Sequence, residues 1–180
     1  MGSSRASAGK LLGIVRDVQN LGAAQALRRF NLSALSGQPA SAVFLALLEF
    51  ICPPGGAVDE AIARQAMLSS IADLAKAEIA FDVMSADQLQ TFFIEVVIRS
   101  IEGRVMADLG HRAITMPVDV AAVQRVQDQL HDFVAGCTRN ALGGRLVGVA
   151  QMTDEQISQC VTEIYEAAFD LVAATAEAES

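Results

Sequence analysis

The side chains that could do chemistry are few and widely separated in this sequence. The histidines are His111 and His131, and the cysteines are Cys52, Cys137 and Cys160. Zinc sites need Cys or His ligands in closely spaced pairs, and the sequence contains no such pair. His131 and Cys137 are six residues apart, which places them on different faces of a helix and argues against a nucleophile–base pair. The sequence predicts no catalytic residue, no metal site and no cofactor site.

The carboxylates have ordinary explanations as well. Paired acids such as Asp59 and Glu60 stand at a predicted first helical turn, where they compensate the helix dipole. Glu95 is the one acid within an apolar helix centre, and Arg99, four residues on, is its expected partner. The sequence has no phosphate-binding loop, dinucleotide fingerprint or nucleophile elbow. We therefore predict a non-enzymatic protein.

Composition limits the class of partner. Hydrophobic residues make up 52% of the 180 residues and charged residues only 19%, which predicts that some apolar surface serves a protein partner. The net charge of −8 argues against nucleic acid, because phosphate binding needs clustered Lys and Arg. No apolar run reaches the roughly 18 residues of a membrane helix, and no signal peptide is evident. Widely spaced cysteines indicate a reducing, cytoplasmic setting.

Helices must position whatever surface the protein uses. Ser85 to Gln88 and Thr153 to Gln156 both have the form of a capping box, which marks two helix starts. The run over residues 92–98 is apolar almost all round and predicts the central helix. Helical spacing of apolar residues predicts helices over about residues 10–19, 23–29, 40–51, 59–80, 86–109, 117–142 and 154–176.

The remaining segments are breaks between these helices. Residues 1–9 are small and polar, and we predict a flexible N-terminal segment there. The strongest break is the loop Pro53, Pro54, Gly55 and Gly56, which we also take as a candidate partner-facing loop. Long helices joined by short breaks predict an all-α fold. The prediction is a single domain over residues 10–180, a bundle of about five to seven helices.

Four runs of the sequence carry a resemblance to a known family. They are FICPPGGAVDEAIARQAM at residues 50–67, ADQLQTFF at 86–93, SIE at 100–102 and QLHDFVAGCT at 129–138. Together they resemble the QatB family, a component of the bacterial Qat anti-phage defence system. The similarity spans about residues 9–142.

The resemblance implies a particular set of partners. Qat systems combine QatB with an ATPase, a TatD-like nuclease and QatC, which is similar to the queuosine-pathway (QueC-like) deazaguanine synthases. The resemblance implies that this chain, like QatB, is the partner and the substrate of QatC, and that QatC attaches a deazaguanine to the N-terminus of its protein substrate. Gly2 is the one residue that we carry over as a candidate modification site. The family has a longer Gly- and Pro-rich N-terminal segment, so a native and a trimmed start both stay open here.

Two alternatives come from other functional classes. The first is a helical ligand-binding regulator with a pocket near Phe92, Phe93 and Phe133. The second is a homodimerisation module, or a larger homo-oligomer, that uses an apolar stripe on the last helix. A core filled by side chains would count against the first, and a strictly monomeric chain would count against the second.

Overall fold

Seven α-helices make up most of the part of the chain that the structure describes. The computed structural model describes residues 1–110, 120–142 and 144–178. Within these ranges there is no β-strand, and no helix is both long and apolar enough to cross a membrane. The predicted all-α fold is confirmed. The helices are α1 (Gly2–Leu21), α2 (Ala23–Arg28), α3 (Ala40–Ile51), α4 (Val58–Ala75), α5 (Ala86–Gly110), α6 (Val120–Leu142) and α7 (Asp154–Ala178), with 3₁₀ turns at Ser33–Leu35, Phe81–Val83 and Val149–Gln151.

Two helices share the centre of the bundle. Helix α5 packs against α1, α4, α6 and α7, as predicted for the central helix. Helix α1 packs against α2, α3, α4, α5 and α7, so it is as central as α5. The core also contains an aromatic cluster, in which the ring of Phe44 from α3 stacks on Phe92 of α5 at 4.1 Å and meets Phe81 edge-on at 5.3 Å. The core therefore joins the first half of the chain to the second.

The two predicted capping boxes are present. The backbone N–H of Ser85 donates to Oε1 of Gln88 at 2.8 Å, and the N–H of Gln88 donates to Oγ of Ser85 at 3.2 Å. Thr153 and Gln156 make the same reciprocal pair at 2.8 and 3.2 Å. Each box satisfies N–H groups that a helix start leaves unpaired, so α5 and α7 begin where the sequence predicts.

Helix α4 is shorter than predicted. It ends at Ala75 instead of near residue 80, and Glu78 then adopts a left-handed conformation with φ of 48°. The next residues pair with the chain before α3: the N–H of Ala40 donates to the C=O of Ile79 at 2.8 Å, and the N–H of Phe81 donates to the C=O of Gln38 at 3.0 Å. This tertiary pairing takes the place of another helical turn.

The N-terminal segment also differs from the prediction. Residues 1–9 were predicted to be flexible, whereas α1 begins at Gly2 and continues unbroken to Leu21. Ser4 and Ala8 are almost fully buried, which ties the first turns of α1 to the bundle. The physical reason is a side chain from α4 that pairs with the start of α1, and it forms the centre of the candidate site.

Candidate functional site

Asp59, in the first turn of α4, holds the start of α1. Its Oδ2 accepts hydrogen bonds from the backbone N–H of Ser3 at 2.8 Å and of Ser4 at 3.3 Å. Its Oδ1 accepts from the hydroxyl of Ser4 at 2.7 Å, and the ammonium of Met1 lies 3.7 Å from Oδ2. Asp59 therefore satisfies first-turn N–H groups of α1, the task that an N-cap side chain usually performs from within its own helix.

The charge of Asp59 is favoured by its surroundings. Burial by itself raises the pKa of this carboxyl, because its side chain is only 15% exposed. The hydrogen bonds from Ser4 and Ser3 outweigh burial and lower the pKa below its usual value. The carboxylate also lies at the positive ends of two helix dipoles, those of α1 and α4. It is therefore an anion under physiological conditions.

The predicted loop over residues 53–56 lies at the same end of the molecule. All four residues are exposed, between the end of α3 and the start of α4. The carboxylate of Glu60 folds back and accepts a hydrogen bond from the N–H of Ala57 at 3.0 Å, so close to Gly55 that a Cβ there would clash. Asp59 follows this loop directly and holds the start of α1. The structure thus brings the two predicted site regions, Gly2 and the loop, to one end of the bundle.

A groove of about 690 Å³ runs along α1 from this end. Small residues form its floor, namely Gly2, Ala6, Gly9 and Gly13. One wall carries Phe30 and Phe50, whose ring centroids are 5.1 Å apart, and the other is the side of α7 with Ile157 and Thr162. The groove is thus bounded by α1, the ends of α2 and α3, and α7.

Basic side chains surround this groove. Arg5 pairs with Glu166 of α7 at 3.2 Å. Arg16 pairs with Asp154 at 2.6 Å. Lys10 donates from Nζ to the C=O of Phe50 at 3.1 Å. These contacts connect α1 to α7 and α3, and with Arg29 they give the groove a more basic lining than the net charge of the chain would suggest.

The predicted pairing of Glu95 with Arg99 is wrong. Glu95 accepts from Arg139 of α6 at 3.0 Å, and Arg99 pairs with Asp73 of α4. The reason is that α5 is flanked by helices on both sides, and each neighbour presents an opposite charge nearer than the residue one turn away. Both pairs are partly exposed ion pairs between helices, and they account for Glu95 without a catalytic role.

No reactive thiol or metal centre emerges among the described residues. The cysteines are buried or half-buried, and burial raises the pKa of all three thiols, which disfavours the thiolate. Nδ1 of His131 lies within hydrogen-bond distance of Oε2 of Glu102, at 3.1 Å, and joins α6 to α5. His111 lies outside the described residues. In the part of the chain that is described, no three His, Cys, Asp or Glu side chains could hold a metal ion together.

The three phenylalanines of the predicted pocket lie in different surroundings. Phe92 lines a cavity of about 340 Å³ between α4 and α5, together with apolar side chains such as Leu74 and Ile79. Phe93 is fully buried in the core and does not line this cavity. Phe133, on α6, is half-buried and does not line this cavity.

Sequence reasoning missed the role of Asp59 and the groove. In the sequence, Asp59 looks like any acid in the first turn of its own helix, α4. The neighbouring residues do not reveal that its carboxylate also caps a second helix, α1. The groove has a visible signal: Gly2, Ala6, Gly9 and Gly13 recur at spacings of four, three and four, which places them on one helix face. A flexible segment has no helix face, so the prediction of a flexible start for α1 is incompatible with this groove.

Comparison with known proteins identifies the family of this chain. A family model described as Qat anti-phage system associated protein QatB matches residues 1–172. No curated protein and no solved structure matches the chain. The match spans nearly all of the sequence, including α1, the loop over residues 53–56 and Asp59, so the chain belongs to the QatB family of Qat anti-phage system proteins.

Proposed function

We propose that this chain is a non-enzymatic component of a Qat system that binds a QatC-like (QueC-like) deazaguanine synthase of the same operon and is modified by it at the N-terminal segment. The observation that carries the proposal is the family match over residues 1–172. The class of the partner comes from the family resemblance. In this arrangement the partner supplies the ATP-dependent chemistry, and the helical chain supplies the acceptor and a surface by which it is held.

The geometry at the N-terminal end supports this arrangement. Gly2 and the loop over residues 53–56 are exposed, so a partner has access to both. The hydrogen bonds from Ser3 and Ser4 to Asp59 hold the segment against α4, so it must leave Asp59 before it can enter an enzyme's active site. The rest of α1 stays packed in the bundle through Leu11, Leu12 and Val15. A short segment can thus unwind while the helical body remains folded.

The test is the intact mass of the chain after co-expression with the QatC-like enzyme. We expect a mass increase that matches one deazaguanine adduct and maps to the peptide with Gly2, together with co-elution of the two proteins from a sizing column. The matched control is co-expression with an enzyme variant that cannot bind ATP, which should leave the mass unchanged. Co-elution without modification would remove the substrate role, and absence of both would refute the proposal.

The cavity beside Phe92 favours a second candidate function, that of a ligand-binding regulator. Its volume of about 340 Å³ is at the low end of the range for small-molecule sites, and its lining is mainly apolar with Arg99 and Asp73 at one side. The test is a fragment screen by NMR. Chemical-shift changes confined to residues around Phe92 would support this function, and shifts scattered over the surface would count against it.

The homodimer alternative has less support. The apolar stripe of the last helix faces inward, with Ile157, Val161, Ile164 and Ala168 buried within the chain itself. Light scattering of the purified chain measures its oligomeric state directly, and a monomeric mass would remove this alternative.

A further inference from the structure

The floor of the groove along α1 has the length and shape of a helix-binding surface. Gly2, Ala6, Gly9 and Gly13 line it at helical spacing. The twelve residues from Gly2 to Gly13 extend for roughly 16 Å, or about three turns. Gly13 is buried by the chain itself, whereas Gly2, Ala6 and Gly9 are exposed or half-buried. Because these three residues have side chains no larger than a methyl group, a second helix can approach α1 closely along its first two turns.

Packing within the chain does not explain the glycines of α1. A Cβ added at Gly2, Gly9 or Gly13 would meet no heavy atom within 4 Å outside the helix's own backbone. Glycine inside a helix is less favourable than alanine, because it loses more conformational freedom when the helix forms. The glycines thus lower the stability of α1, and no contact inside the chain requires them. The close approach of another molecule to α1 would explain why glycine stands at these positions.

Aromatic and basic side chains define what would fit. Phe50 is 47% exposed at the edge of the groove and packs on Phe30, so it offers an apolar contact to a partner's side chains. The groove is lined by four cationic side chains and one carboxylate, that of Asp154. In the described part of the chain, Lys10 has a backbone carbonyl and no carboxylate as its partner. A carboxylate on the partner would pair with this charge.

We infer that this groove docks an amphipathic helix of the partner protein, with apolar side chains against Phe30 and Phe50 and acidic side chains toward Lys10. Binding in this mode places an apolar helix face in a preformed groove. It would also hold the partner beside the segment that Asp59 retains, because Gly2 lies at one end of the same groove. The inference rests on the proposed function for the identity of the partner, the QatC-like enzyme.

The first test fills the groove without disturbing the fold. Gly9→Leu places a side chain in open space and improves helix propensity, so the thermal midpoint should stay the same or rise. Its affinity for the co-expressed QatC-like enzyme should fall by at least about tenfold. The matched control is Gly136→Leu on α6, another helical glycine whose added Cβ meets nothing, and it should bind as the wild type does.

The second test addresses the charge. Lys10→Glu should weaken binding more at low than at high salt, because screening reduces charge interactions. The control is Lys76→Glu, an exposed lysine at the end of α4 outside the groove, which should have little effect. In hydrogen exchange, the complex should protect both α1 and an acidic helical segment of the enzyme.

The outcomes separate the inference from the proposed function. If the wild type binds the enzyme and both groove variants bind equally well, the inference is wrong and the proposed function stands. If the wild type forms a dimer that Gly9→Leu disrupts, the groove belongs to a second copy of the chain, which also overturns the inference. If the wild type does not bind the enzyme at all, both proposals fall.

Discussion

The starts of α1 and α5 satisfy the same physical requirement in different ways. Every helix leaves its first N–H groups without intrahelical partners. In α5, Ser85 and Gln88, three residues apart, close a local capping box. In α1, the partner is Asp59, which is 55 residues from Ser4 in the sequence and belongs to another helix. The cap of α5 forms together with α5 itself, whereas the cap of α1 forms only after α4 has packed against α1.

This difference predicts different dynamics at the two helix starts. The first nine residues contain small polar residues and two glycines, which are weak helix formers. Their order therefore depends on Asp59 and on the burial of Ser4 and Ala8. Such a segment can open locally while the bundle stays folded. The start of α5 has its own local cap, and its Leu89 is buried in the core, so it should open only with the bundle.

The largest effect is expected from Asp59→Ala. The variant removes three hydrogen bonds to a charged acceptor at the start of α1, and we expect a loss of about 2 kcal/mol in the free energy of unfolding. Amide hydrogen exchange of residues 2–9 should become much faster. Exchange in the middle of α5 should increase only as much as the lower free energy of global unfolding requires. Urea denaturation and exchange mass spectrometry measure the two effects.

The matched control is Asp87→Ala, which removes a first-turn acid from α5. It weakens the favourable interaction with the helix dipole, by about 0.3–1 kcal/mol, and leaves the start of α1 as it was. If residues 2–9 exchange equally slowly in Asp59→Ala and in the wild type, the start of α1 does not depend on the distant cap.

Local signals account for the parts of the fold that the sequence predicted. Pro39 precedes α3 as its N-cap residue, and the two capping boxes mark the starts of α5 and α7, so these helices begin where they were predicted. The end of α4 and the start of α1 depend on contacts with distant parts of the chain. Two features have no sequence signature: the left-handed conformation of Glu78, and the hydrogen bonds by which Asp59 of α4 caps the start of α1. Both depend on which distant segment of the chain packs beside the residue.

The candidate site shows the same division. Gly2 and the loop over residues 53–56 were predicted separately, the first from the family resemblance and the second from its prolines and glycines. Their position at one end of the molecule follows from Asp59, whose bonds bring the start of α1 to the start of α4. The low charge content predicted a partner surface, but the groove that we propose for it depends on the packing of α3 and α7 around α1.

A smaller effect is expected from Ser85→Ala, which breaks the local cap of α5. Loss of an N-cap serine costs about 1 kcal/mol. The backbone of α5 remains held by the buried Phe92 and Phe93, so the loss should appear in global unfolding and in exchange at the first turn of α5. Exchange in residues 2–9 should rise only in proportion to the global loss. A selective increase there would show that the two helix starts are coupled.

The smallest effect is the dependence of the start of α1 on pH. The pKa of Asp59 in the folded chain is lowered, and an unfolded Asp titrates near pH 3.9. The unfolded state therefore takes up a proton first as the pH falls. The contribution of the Asp59 charge to stability is complete above the unfolded pKa and is lost as the pH drops through the lower, folded pKa. Protonation leaves neutral hydrogen bonds, roughly half as strong as charge-assisted ones, so the loss stays below that of Asp59→Ala.

Urea denaturation of the wild type and of Asp59→Ala, between about pH 5 and pH 2, measures this contribution as the difference between the two chains. The difference should be constant near pH 5 and shrink as the pH falls below the unfolded pKa of Asp. Asp87→Ala provides the reference for an acid in a first turn that does not hold a second helix. A difference that stays constant down to pH 2 would mean that the charge of Asp59 does not hold the start of α1. Hydrogen bonds between the neutral carboxyl and Ser3 and Ser4 would then be sufficient to hold it.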